Sequence, residues 1–145
     1  MAKTRPFNRH NLAGVAVSTI RPPIGVGALV WRYVVLLPLS EQRLGDESAE
    51  TIADAEDIDN LRAMLSDDFG GTTILVPVMG YGLRDPRDPA SLEVNRNLPF
   101  LIYASPVSAS DKYFERLEKE LREAFNQGVI LIERQEAFLF ASPSF

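Results

Sequence analysis

The chain has no cysteine, one histidine and one tryptophan in 145 residues. Without cysteine there is no disulfide, no thiolate metal site and no cysteine nucleophile, and a reducing compartment is mildly favoured. The single histidine, His10, lies in a polar N-terminal stretch. A Ser–His–Asp arrangement would depend on His10 folding in from the arm, a Cys–His pair has no cysteine, and the His/Cys ligands that zinc, copper and haem sites favour are scarce. No metal and no cofactor are expected. Long apolar runs are also missing. The longest, Ile24 to Leu39, is broken by Arg32 and punctuated by Gly25, Gly27 and Pro38, too short to span a bilayer. The basic N-terminus makes a poor secretory signal, because Arg21-Pro22-Pro23 stands where a small-residue cleavage site belongs. The expectation is a cytoplasmic protein with no membrane partner.

Charge is scarce in balance rather than in number. Residues 1–29 hold Lys3, Arg5, Arg9 and Arg21 with no acid, whereas residues 41–60 hold eight acids against Arg43. The net charge of −5 argues against general nucleic-acid affinity, since phosphate binding scales with the cations presented. The carboxylates Asp46, Glu47, Glu50, Asp54, Glu56 and Asp57 follow no calcium-loop spacing and fit a solvated acidic face. Hydrophobic residues make up 46% and charged ones 24%, the usage of a single globular domain with one core. The organisation expected is a basic arm over 1–27, one α+β domain over 28–140 and a tail over 141–145.

What is present is a repeated pattern. Ile58, Leu61, Leu65 and Phe69 recur at helical spacing and stop at Gly70, with Asp54 placed to cap the start. Phe114, Leu117, Leu121 and Phe125 repeat the motif and stop before Gly128. Strands are expected at Val30–Leu39, Thr72–Met79, Leu98–Ala104 and from Val129 to Arg134 or beyond, with a further short strand in Leu12–Ile20. Pro77 belongs on a sheet edge. Phe138, Phe140 and Phe145 make an aromatic tail.

The β-α-β-β-α-β order resembles the ferredoxin-like α+β topology over residues 30–134. The resemblance implies a four-stranded antiparallel sheet with two helices on one face, plus the arm and the tail. On such a sheet the second face should be polar. Here both alternating sets of the central strands are apolar, so a cover is expected: the arm (Val15, Val17, Ile20, Ile24), the tail, or a second copy. Self-association through the sheet, with a dimer favoured, makes Trp31, Tyr33, Val35, Leu101 and Tyr103 the candidate interface.

Residues 80–97 read as an overlong loop. Its Arg84, Arg87 and Arg96 could clamp a carboxylate or phosphate in forked fashion, with Tyr81 stacking. Gly80-Tyr-Gly82 is no dinucleotide fingerprint, as it lacks the third glycine and the following helix. The leading expectation is a self-associating binding or regulatory module for an anionic metabolite or nucleotide near this loop. Two alternatives stand beside it. One is a cofactor-independent enzyme resembling the dimeric α+β barrel group, with a cavity lined by Tyr33, Tyr103 or Arg32 and a buried carboxylate of raised pKa. The other is a docking module that uses the basic arm.

Overall fold

A 19-residue strand, β1 (Gly25–Arg43), forms the spine of the molecule. The computed structural model describes residues 4–12, 17–22 and 25–141. Lys3, Val15, Ile24 and Phe145, which the sequence assigns to the arm or the tail, lie outside them. On one side β1 pairs antiparallel with β5 (Leu92–Ala104) along most of its length, from Trp31↔Ala104 to Arg43↔Glu93. On the other side β6 (Ile132–Ala141) covers its first half and β2 (Glu50–Thr51) pairs Ser40 and Glu41. Beyond β5 lie β3 (Thr73–Ile74) and β4 (Val78–Leu83).

The sheet thus has six strands and curls into an antiparallel half-barrel. The flat four-stranded sheet of a ferredoxin-like unit, expected from the sequence, does not form. Three local causes account for the difference. β1 outlasts β6, so a separate strand completes its far half. Pro77 interrupts the outer column and divides it into β3 and β4. Register shifts between Val26 and Ala28 and between Pro38 and Ser40 add the local twist that coils a long strand. The loop expected over 80–97 is likewise mostly strand. β4 and β5 form a hairpin from Val78↔Asn97 to Leu83↔Leu92, leaving residues 84–91 as the turn.

The helices follow the sequence more closely. α2 (Ala55–Phe69) begins with a capping box: the Asp57 backbone N–H donates to the Asp54 carboxylate, and the Asp54 N–H donates back to the Asp57 side chain, both at 3.0 Å. It ends at Gly70, whose φ of 85° is left-handed, a conformation that suits glycine. α3 (Ser108–Ala124) has no side-chain cap at Val107. The described residues of Leu12–Ile20 form no strand. A 3-10 turn at Arg9–Leu12 and a single helical turn, α1 (Val17–Ile20), occupy its described residues.

Both main helices pack on one face of the sheet. Tyr33, Val35 and Leu37 of β1 and Phe100 and Ile102 of β5 meet Leu61, Leu65, Phe69, Phe114, Leu117 and Leu121 in the core. This corrects two of the expected interface residues: Tyr33 and Val35 point into the protomer's own core. Trp31 is half-buried against the same cluster. Val34, Leu36, Leu101 and Tyr103 alternate onto the other face and are half-buried there, with Val34 opposite Leu101 and Leu36 opposite Pro99.

The first described stretch of the arm, residues 4–12, lies on the helices. The Thr4 N–H donates to the Ala124 carbonyl at 2.8 Å, and Phe7 packs against the core. Arg5 forms a forked pair with Glu120, and Arg9 reaches Asp68 at 3.0 Å. Asp67 and Asp68 stand at the C-terminal end of α2, where the helix dipole disfavours them. Arg9 offsets the pair, and Tyr113 donates to Asp68 at 2.7 Å. Arg5, Arg9 and Arg21, the described cations of the arm, are each engaged within the chain.

Candidate functional site

The face that β1 and β6 turn toward α3 carries an ordered polar constellation. Tyr33 lies opposite Arg134 in the β1–β6 register, and α3 presents Asp111 in its first turn. The Tyr33 hydroxyl donates to one Asp111 oxygen at 2.6 Å, and the Arg134 guanidinium donates to the other at 2.5 Å. The Tyr33 ring is clamped by stacking on Phe114, with centroids 3.8 Å apart. The Arg134 guanidinium lies 4.1 Å above the ring of Trp31, within cation–π range. Each partner thereby fixes the next, from Trp31 through Arg134 and Asp111 to Tyr33.

Burial and the adjoining Asp111 carboxylate push the Tyr33 hydroxyl well above the ordinary phenol range. Tyr33 is therefore a hydrogen-bond donor at neutral pH and no proton acceptor. Asp111 is the acceptor at the centre.

This constellation forms one wall of a solvent-open cleft of about 550 Å³, lined by Phe114, Ile130, Ile132, Glu115, Glu118 and Glu133 as well. Its size suits a small-molecule ligand. Acceptors dominate: four carboxylates face one guanidinium, and Glu118 is additionally held by Arg122 at 2.8 Å. Among the described residues no three His, Cys, Asp or Glu side chains are grouped to hold a metal ion.

The residues chosen from the sequence do not converge. Tyr81 and Arg96 are exposed on one face of the β4–β5 hairpin. Arg84 lies on the opposite face with Glu93, at 3.8 Å, and Arg87 in the turn pairs with Asp85 at 3.2 Å. A second cleft of about 520 Å³ takes in Arg84 with Arg43, against Asp46 and Asp85. Beside it, the Glu93 carboxyl is raised above its usual range by burial and by Glu41, and the Oε2 atom has no hydrogen-bond partner. Of the residues expected to line an enzyme-like cavity, Tyr33 lines the α3–β6 cleft, and Tyr103 borders a separate cleft of about 330 Å³. Arg32 and Tyr103 are cross-strand partners on the outer face.

Asp111 and Arg134 were not singled out from the sequence. Two signals pointed to them. Asp111 has an acid, Glu115, four residues on in its helix rather than a base, and Arg134 sits one residue from an apolar run that enters the core.

No described protein family and no curated protein matches the chain. Among helices of the described residues none is long and apolar enough to cross a membrane. Solved structures do match. A phage SAM lyase in complex with S-methyl-5'-thioadenosine superposes with a TM-score of 0.51 at 18% identity, over 82% of this chain and 94% of that one. A phage SAM lyase in the apo state gives a TM-score of 0.47 at 18% identity, over 85% and 97%. The likeness to the first is one of fold: this chain is a small α+β domain with the curled sheet of that structure.

Proposed function

We propose that the chain is a small-molecule-binding domain whose ligand is an uncharged or cationic adenine nucleoside bearing a sulfur substituent. The observation that carries this reading is the acceptor-rich α3–β6 cleft with its fixed Tyr33–Asp111–Arg134 wall. A thioadenosyl nucleoside offers donors, the ribose diol and the exocyclic amine, to a wall that offers carboxylates. The fold is shared with a structure that holds S-methyl-5'-thioadenosine, which supports the choice of ligand class. An anionic ligand suits this cleft poorly, because Asp111, Glu115, Glu118 and Glu133 would repel it. The hairpin arginines that the sequence tied to an anion lie outside this cleft.

Isothermal titration with S-methyl-5'-thioadenosine tests the reading, with adenosine monophosphate as the anionic control. The expected result is saturable binding of the thioether nucleoside and weaker binding of the monophosphate. Asp111→Asn should weaken the nucleoside about tenfold, the scale of losing a charged hydrogen bond. Absence of heat with the nucleoside, or tighter binding of the monophosphate, counts against the proposal.

A second reading is enzymatic, favoured by Asp111, the one acceptor on this wall held between two donors. Incubation with S-adenosylmethionine separates the two readings. Release of S-methyl-5'-thioadenosine that Asp111→Asn abolishes indicates an enzyme, and binding without product indicates a module.

A further inference from the structure

The outer column of the sheet ends in an open edge. Among the described residues β4 pairs with β5 alone, and the Arg84 N–H donates to the Ser91 carbonyl at 3.1 Å. In that register Val78, Gly80 and Gly82 bond toward β5, because backbone bonding alternates along an antiparallel pair. Met79, Tyr81 and Leu83 therefore turn their N–H and C=O groups outward.

The side chains there are apolar and open. Tyr81 is 69% and Met79 62% exposed, and Leu83 is exposed as well. From Thr72 to Leu83 there is no charged residue, although soluble proteins ordinarily blunt an edge with lysine or an inward charge. The opposite edge follows that rule: β6 carries Glu133, Arg134 and Glu136.

We infer that β4 pairs antiparallel with β4 of a second copy of this chain, across a two-fold axis at Tyr81. Self-pairing about a two-fold normal to the sheet sets residues of like parity opposite one another. Tyr81 is the middle of the three outward-bonding residues, so it meets the partner subunit's Tyr81. Met79 meets the partner's Leu83, and Gly80 meets the partner's Gly82 with no side chain in the way. Every pair is uncharged, and each outward N–H finds a carbonyl. Pro77 ends the match on one side and Arg84 on the other. An isologous contact of this kind closes on itself, so the assembly stops at a dimer. The contact is distinct from the sheet-face association expected from the sequence, and the α3–β6 cleft takes no part in it.

Sedimentation velocity across a concentration series, paired with amide hydrogen exchange, tests it. The wild type should sediment as a dimer, and Met79→Lys/Leu83→Lys should raise the dissociation constant at least tenfold with the circular dichroism spectrum unchanged. Glu133→Lys, on the other edge, should leave the dimer intact. Independently of any variant, the Met79, Tyr81 and Leu83 amides should exchange more slowly at dimer-forming concentrations than on dilution. A wild type that is monomeric throughout overturns the inference, as does a dimer that survives the lysines. Concentration-independent exchange at those three amides does the same.

Discussion

Arg5→Ala is expected to lower the stability of the fold by about 2–4 kcal/mol, read as the free energy of urea unfolding. The Glu120 side chain is 1% exposed, and Arg5 supplies its counter-charge in a forked pair. The Asn8 N–H adds one donor at 2.7 Å, which cannot neutralise a buried carboxylate. Removing the guanidinium takes a forked counter-charge away from a buried carboxylate, and breaking such a pair is costly. The figure is set below the fully buried range because Arg5 is itself 36% exposed and partly screened. In a chain of this length such a loss lowers Tm by roughly 5–15 °C. One feature separates this cause from lost packing: adding Glu120→Gln to Arg5→Ala should recover much of the deficit.

Phe114→Ala is expected to cost about 3–5 kcal/mol, the range for deleting a buried aromatic ring. The ring lies between the stacked rings of Tyr33 and Phe69, with Tyr113 on its edge. Its loss opens a cavity beside these three rings and frees Tyr33 from its stacking plane. Two readouts are therefore predicted from one substitution. Thermal unfolding should shift down, and at temperatures where the variant is still folded its affinity for the thioether nucleoside should fall. Phe114→Leu should restore most of the stability but less of the affinity, since leucine fills volume without holding the phenol flat.

The helices were legible because their signals are local. Asp54, Asp57 and Gly70 act within one turn of their own positions, and Phe69 and Phe125 are buried at 3% and 1% exposure, as the matching stripes required. The sheet was less legible because its determinants are not local. Trp31 to Leu37 is apolar at every second position on both faces except at Arg32, so alternation could not say which set meets the helices. The structure turns Tyr33, Val35 and Leu37 inward. Gly80-Tyr-Gly82 and Glu93 to Asn97 look like loop because glycine and polar side chains dominate them, yet edge pairing needs only backbone groups. The extra strands follow from the length of β1, which no window of sequence displays. The site suffered in the same way. Asp111 and Arg134 are 23 residues apart in sequence and meet only because β6 returns beside β1 and α3 packs across both.

The most direct test of the α3–β6 cleft as the ligand site uses Trp31, the only tryptophan of the chain, which lies under the Arg134 guanidinium. Through that contact its fluorescence reports on the guanidinium that borders the cleft. Titration with S-methyl-5'-thioadenosine should change the intensity in a saturable way, with a midpoint matching the calorimetric affinity, and Arg134→Ala should weaken that response. Calorimetric binding with a flat tryptophan signal, unaltered by Arg134→Ala, would place the nucleoside elsewhere and contradict the account.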